Sequence, residues 1–129
     1  MTSFVKVTVL GAALVWSASA LAEGNAEHGK VVFNQCKACH QVGPSAKAGV
    51  GPEQNNLIGS AAGSRAGYNY SPAMKEAGAK GLVWNEENLE KYLENPKSVV
   101  PGTKMVFPGL KNPADRADVI AFLKTQTGK

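Results

Sequence analysis

Apolar residues recur at helical spacing in separate stretches of the chain, each introduced by a residue suited to cap a helix. In the first stretch Ala26, Gly29, Val32 or Phe33, and Cys36 follow Asn25, whose side chain can accept from the free backbone N–H groups of a first turn. The second is short, with Ser71 as cap, Pro72 as first residue and Gly78 as its close. The third begins at Asn85, carries Glu86 and Glu87 where the helix dipole favours negative charge, and turns Leu89, Tyr92 and Leu93 inward. Asn95-Pro96 ends it. The last is the best marked: Asn112 is its cap, Pro113 its first residue, and Asp115 lies in its first turn. Its inward stripe is Val119, Ile120 and Leu123, and Gly128 is its end.

Two irregular segments lie between these helices. Residues 41–70 are rich in Gly, Ser, Asn, Ala and Pro without a sustained period. A loop of that length is uncommon in a compact domain unless it packs on something. The second segment, Val99 to Gly109, contains Pro101, Gly102, Pro108 and Gly109, which set its shape in place of a repeating hydrogen-bond ladder. No strand-like alternation, repeat or dividing linker is present, so the pattern predicts one all-α domain. Gly29 costs its helix about 1 kcal/mol relative to alanine, a cost often accepted where two helices cross closely.

The 129 residues are 43% hydrophobic and 19% charged, ordinary values for a single globular domain. Lys6, the mostly apolar run Val7 to Trp16, and Ala20-Leu21-Ala22 resemble a secretory signal peptide over residues 1–22. The run is too short for a membrane anchor, which needs about 20 apolar residues, so no stable membrane insertion is expected. The mature domain then spans 23–129. Its 107 residues carry a formal charge of +3 in place of +4, because only Lys6 is lost. This small charge excludes a nucleic-acid-binding role, which calls for a concentrated basic stripe.

Cys36-Lys37-Ala38-Cys39-His40 is a CxxCH motif, the attachment signature of a c-type haem. Two thiols at this spacing fit the two vinyl groups of one haem, and the adjacent imidazole then lies on the iron. A zinc site closes with four protein ligands, and only His28 remains as a further nitrogen or sulfur donor of the usual kind. A thioredoxin-like pair needs a βαβ pattern that the chain lacks. With both cysteines consumed by haem, export points to a bacterial periplasm. The opposite face of the iron is either open to a small ligand or closed by the protein, and that difference decides the function. The candidates to close it are Met74, Met105, His28 or a lysine. Met74 falls in a short helix, where methionine usually fills core. His28 lies a helix away from the motif and suits an exposed or capping role. Met105 follows Pro101-Gly102-Thr103-Lys104 in a rigid loop that can aim a side chain, and is favoured.

The mature chain resembles the class I c-type cytochromes, nearest to the cytochrome c2 and mitochondrial-like branch. The resemblance rests on Gly29, Phe33, the CxxCH motif, Gly51-Pro52, Tyr70 and Trp84. It continues through Tyr92-Leu93-Glu94-Asn95-Pro96, Pro101-Gly102-Thr103-Lys104-Met105 and Arg116-Ala117-Asp118. It implies N- and C-terminal helices that cross, with loops wrapped around one covalent haem c. It implies thioether anchors at Cys36 and Cys39, axial ligands at His40 and Met105, and a Pro52 carbonyl bonded to the outer nitrogen of His40. Tyr92 and Thr103 are expected near the methionine face, with Tyr70 and Trp84 bonded to a propionate. Ser60 stands where an arginine usually compensates a propionate, and Gln54 where a leucine commonly packs. Arg65 is the candidate to replace the missing charge.

With both axial positions filled, the chemistry left is one-electron exchange, and the thioether raises the potential. The implied protein is a monomeric periplasmic shuttle, not an enzyme. Its implied partners are membrane redox complexes such as a bc1-type complex, a terminal oxidase or a photosynthetic reaction centre. Lys47, Lys97, Lys104 and Lys111 resemble part of the family's lysine ring around the haem edge. The rival readings are a haem subunit of a larger dehydrogenase and an open-site haem protein that binds a gas or small substrate.

Overall fold

A computed structural model describes residues 23–128; the signal-peptide reading of 1–22 lies outside the described residues. The helices are α1 (Ala26–Val32), α2 (Pro72–Ala79), α3 (Glu86–Glu94), α4 (Pro96–Val99) and α5 (Pro113–Thr125), with a 3-10 turn at Phe33–Gln35. Among the described residues there is no strand, only an isolated bridge between Ala61 and Val83.

Each expected cap forms. Asn25, Ser71, Asn85 and Asn112 accept from the backbone N–H of His28, Met74, Asn88 and Ala114 respectively. The helix ends differ in detail from the sequence pattern. The first helix tightens after Val32 into the 3-10 turn, and the motif then winds one further turn of its own, with His40 N donating to Cys36 O at 2.9 Å. Lys80 N bonds Glu76 O at 2.9 Å, which carries α2 one residue past Gly78. Pro96 stops α3 as expected, but its fixed φ also suits a first helical position, and the four-residue α4 starts there. α5 ends at Thr125, three residues short of the expected Gly128, because Gln126 leaves helical geometry.

The crossing of α1 and α5 is the frame. A Cβ on Gly29 would overlap the Asp118 carbonyl and lie 2.8 Å from Phe122 Cβ, so only glycine permits this approach. Phe33 and Phe122 pack beside it, their rings tilted with centroids 5.3 Å apart. Asp118 locks the pair: Oδ1 accepts from Asn25 N at 2.7 Å, and Oδ2 meets His28 Nδ1 at 2.7 Å. His28 is thus a half-exposed inter-helix contact. Val32, Leu89, Leu93, Val119, Ile120 and Leu123 bury the inward stripes against one another. Arg116 on α5 is only 6% exposed; it pairs with Glu90 of α3 and donates to Leu110 O at 2.7 Å, tying the end of the second irregular segment to the core.

Candidate functional site

The motif turn sets Cys36, Cys39 and His40 on the wall of a cavity of ≈ 340 Å³. The remaining residues nominated from sequence, Pro52, Tyr70, Trp84, Tyr92, Thr103 and Met105, line the same cavity. Met74, Gln54, Ser60 and Arg65 line it too, whereas His28 is at the α1–α5 crossing.

On the histidine side, Pro52 O lies 2.7 Å from His40 Nδ1. A Cβ on Gly51 would come within 2.5 Å of the imidazole Cε1, so the loop backbone lies flat against the ring and fixes its plane. Burial lowers the His40 pKa, against the opposing pull of the Pro52 carbonyl. Burial, and then the neighbouring Cys39, push the Cys36 thiol up to about 11. A redox CxxC pair needs the reverse, a stabilised thiolate, so this environment argues against disulfide exchange. Among the described residues no group of three or more His, Cys, Asp or Glu side chains is arranged to hold a metal ion.

Across the irregular segment from Val99 to Gly109, the Tyr92 hydroxyl on α3 and Thr103 Oγ1 are 2.8 Å apart. Thr103 Oγ1 in turn accepts from Met105 N at 3.3 Å. Lys104 Nζ reaches across to donate to Asn69 O at 2.6 Å, with its charge 5.5 Å from the centre of the Tyr68 ring. Burial raises the Tyr92 pKa against the Thr103 bond, so the phenol stays protonated. Trp84 packs on Tyr92 with centroids 4.8 Å apart.

A third wall is polar. Tyr70 accepts from Arg65 N at 3.1 Å, and Arg65 Nε lies 3.2 Å from Glu53 Oε1. Arg65 Nη2 is buried with no partner. The Ser60 hydroxyl is spent on Leu57 O at 2.6 Å. Glu53 and Tyr68 were not nominated from sequence. Nothing local marks Glu53 as a partner of Arg65, whereas Tyr68, two residues from Tyr70 and edge-on to it at 4.8 Å, could have been found by that spacing. These residues fit haem c. Two thiols and an imidazole share one wall of a largely apolar cavity, and the buried guanidinium N–H lacks an acceptor of the kind a propionate carries.

The cytochrome c family model matches residues 26–127. The chain is 68% identical to cytochrome c2 of Rhodomicrobium vannielii over 125 residues, covering 97% of this chain and 98% of that one. It is 58% identical to cytochrome c2 of Afifella marina over 97 residues, covering 75% and 78%. A solved cytochrome c2 from Rhodospirillum centenum superposes with a TM-score of 0.78 at 38% identity, covering 81% of this chain and all of that one. The chain therefore belongs to the cytochrome c family, whose members carry electrons on one covalent haem c and are not enzymes.

Proposed function

We propose that this chain is a periplasmic one-electron shuttle whose iron is held between His40 and Met105. The observation that carries the reading is the side-chain chain from Tyr92 through Thr103 to the Met105 backbone, which fixes one methionine of the cavity by its own loop. Met74 also lines the cavity, but the Ser71 hydroxyl that accepts from its N–H is the cap of α2, whereas Thr103 is itself held by Tyr92 of another helix. When bound, haem iron supplies a ferric–ferrous couple whose potential a soft thioether raises.

The chain's own residues do the rest. Cys36 and Cys39 anchor the macrocycle. The Pro52 carbonyl holds the His40 ring in the tautomer that leaves Nε2 free to coordinate. Thr103 and Tyr92 fix the Met105 loop, so the ligand set stays the same in both oxidation states. Tyr70, Trp84 and the unpartnered Nη2 of Arg65 bond the propionates, with Arg65 taking the role left vacant by Ser60. Among the described residues no helix is long and apolar enough to cross a membrane. The exposed Lys47, Lys97, Lys104 and Lys111 steer brief docking on acidic faces of membrane redox complexes such as a bc1-type complex, a terminal oxidase or a photosynthetic reaction centre. Lys104 and Lys111 keep this exposure while each bonds a backbone carbonyl.

A redox titration followed optically tests the ligand set. The ferric protein is expected to show the methionine-to-iron band at the red end of the spectrum. That band should be lost in Met105→Leu and kept in Met74→Leu, and the reduced wild type should not bind carbon monoxide. Tight carbon monoxide binding by the wild type would replace the shuttle with an open-site haem protein. Association with an acidic partner should weaken as ionic strength rises.

A further inference from the structure

Gln54 stands where the family usually packs a leucine, and its amide ends 2.8 Å from His40 Nδ1. Pro52 O lies 2.7 Å from the same nitrogen. A peptide carbonyl can only accept, so Nδ1 carries the ring proton. An amide NH2 aimed at that N–H would set donor against donor. The oxygen and nitrogen of a glutamine amide have nearly the same shape, and the hydrogen-bond network decides which end faces which way. Here the network has an acceptor to spare, because Gln54 Oε1 is buried without a partner. A half-turn about the terminal bond puts that oxygen on Nδ1–H and the amide nitrogen in the buried position that Oε1 leaves.

We infer that Gln54 is a second acceptor for the His40 Nδ1 proton, sharing it with the Pro52 carbonyl, and that it thereby positions the imidazole and tunes its strength as a ligand. The inference rests on the proposed reading of His40 as an axial ligand. Two acceptors on one N–H draw its proton outward, which makes Nε2 a stronger donor. A stronger donor favours the ferric over the ferrous state, so the glutamine lowers the potential relative to the leucine more usual at this position. The two acceptors also hold the ring from two directions, where a lone carbonyl leaves it freer to rock.

The test uses the haem-loaded protein as wild type, Gln54→Leu and Gln54→Glu. Spectroelectrochemical titration gives the potential, and the His40 Nδ1–H resonance of the 15N-labelled ferrous protein gives the hydrogen bond. At a fixed applied potential, Gln54→Leu should raise the ferrous-to-ferric ratio about threefold, or about 28 mV at about 59 mV per tenfold for one electron. Gln54→Glu should lower that ratio. The Nδ1–H proton should move upfield in the leucine variant and downfield in the glutamate variant, a change that packing alone does not produce. An unmoved Nδ1–H resonance in Gln54→Leu, or potentials that shift the same way in both variants, would overturn the inference. If the leucine variant fails to load haem, Gln54→Asn, which withdraws the amide by one methylene, carries the same expectation. Failure of the underlying reading shows in the wild type alone, as His40 resonances without a porphyrin ring-current shift.

Discussion

The two sides of the cavity are built in opposite ways. On the histidine side, the parts lie close in sequence: one helical turn carries Cys36, Cys39 and His40, and Pro52 closes on the ring twelve residues later. Behind them the α1–α5 crossing brings backbone against backbone at Gly29. On the methionine side, an irregular segment has no ladder of its own. It is held by single side-chain bonds: Tyr92 to Thr103, its own Lys104 to Asn69 thirty-five positions away, and, just past its end, Arg116 to Leu110. One side is set by covalent spacing and packing, the other by a few replaceable hydrogen bonds. Under the proposed ligation, the sulfur ligand should therefore be the first to yield when the protein is perturbed.

The harshest way to break this contrast is to remove what both sides enclose. In Cys36→Ala/Cys39→Ala, kept free of haem, the cavity loses its filling, and a domain this small has little core to spare. Circular dichroism should show most of the helix lost. Retained native helix content would mean that the α1–α5 frame stands alone, and that the two sides differ even more than the contacts indicate.

The next largest effect is expected from Arg116→Ala. Removing one partner of a buried ion pair costs roughly 3–5 kcal/mol, and about 2–3 kcal/mol is expected here because Glu90 is about one-third exposed. Denaturant unfolding of the haem-loaded protein measures it. Since Arg116 also holds the Leu110 carbonyl, the methionine band should disappear at lower denaturant concentration than the bulk of the helical signal. Coincident loss of the two signals would erase the distinction between the sides. Thr103→Val sharpens it at lower cost. The side chain keeps its shape but leaves the buried Tyr92 hydroxyl unpaired, for about 1–2 kcal/mol, and the band should weaken while the α1–α5 crossing is unaffected.

The same contrast explains what the sequence made legible. Asn25, Ser71, Asn85 and Asn112 declare their helices because a cap bonds backbone two or three residues away, within the reach of a local pattern. The CxxCH motif is local in the same sense, and the nominated residues do gather at one cavity. The short α4 was hidden because Pro96 both ends one helix and begins the next. The pairing of Glu53 with Arg65, the reach of Lys104 to Asn69 and the meeting of Gln54 with His40 join residues of irregular segments, where no periodicity says what will face what. Gln54 did stand out as a polar residue in an apolar place, but only the folded loop identifies its partner.

The smallest expected effect lies on the histidine side and depends on pH. The Asn25 N–H, and then the His28 side chain, hold the Asp118 carboxyl below the usual aspartate range. A carboxyl whose folded value is depressed binds protons more readily when unfolded, so it stabilises the fold at higher pH and that stability is lost as pH falls. The contribution is complete above the ordinary aspartate range and is lost as pH drops through the lowered folded value. Half-exposure of His28 and screening by solvent keep it small. In Asp118→Asn, the fall of stability with pH across that acid range should be shallower than in the wild type when measured by denaturant unfolding. Every partner of this carboxylate sits at the α1–α5 crossing, away from the Met105 loop, so the methionine band of Asp118→Asn at neutral pH should match the wild type. A weakened band would mean that strain at the crossing reaches the sulfur ligand, and that the two sides act as one.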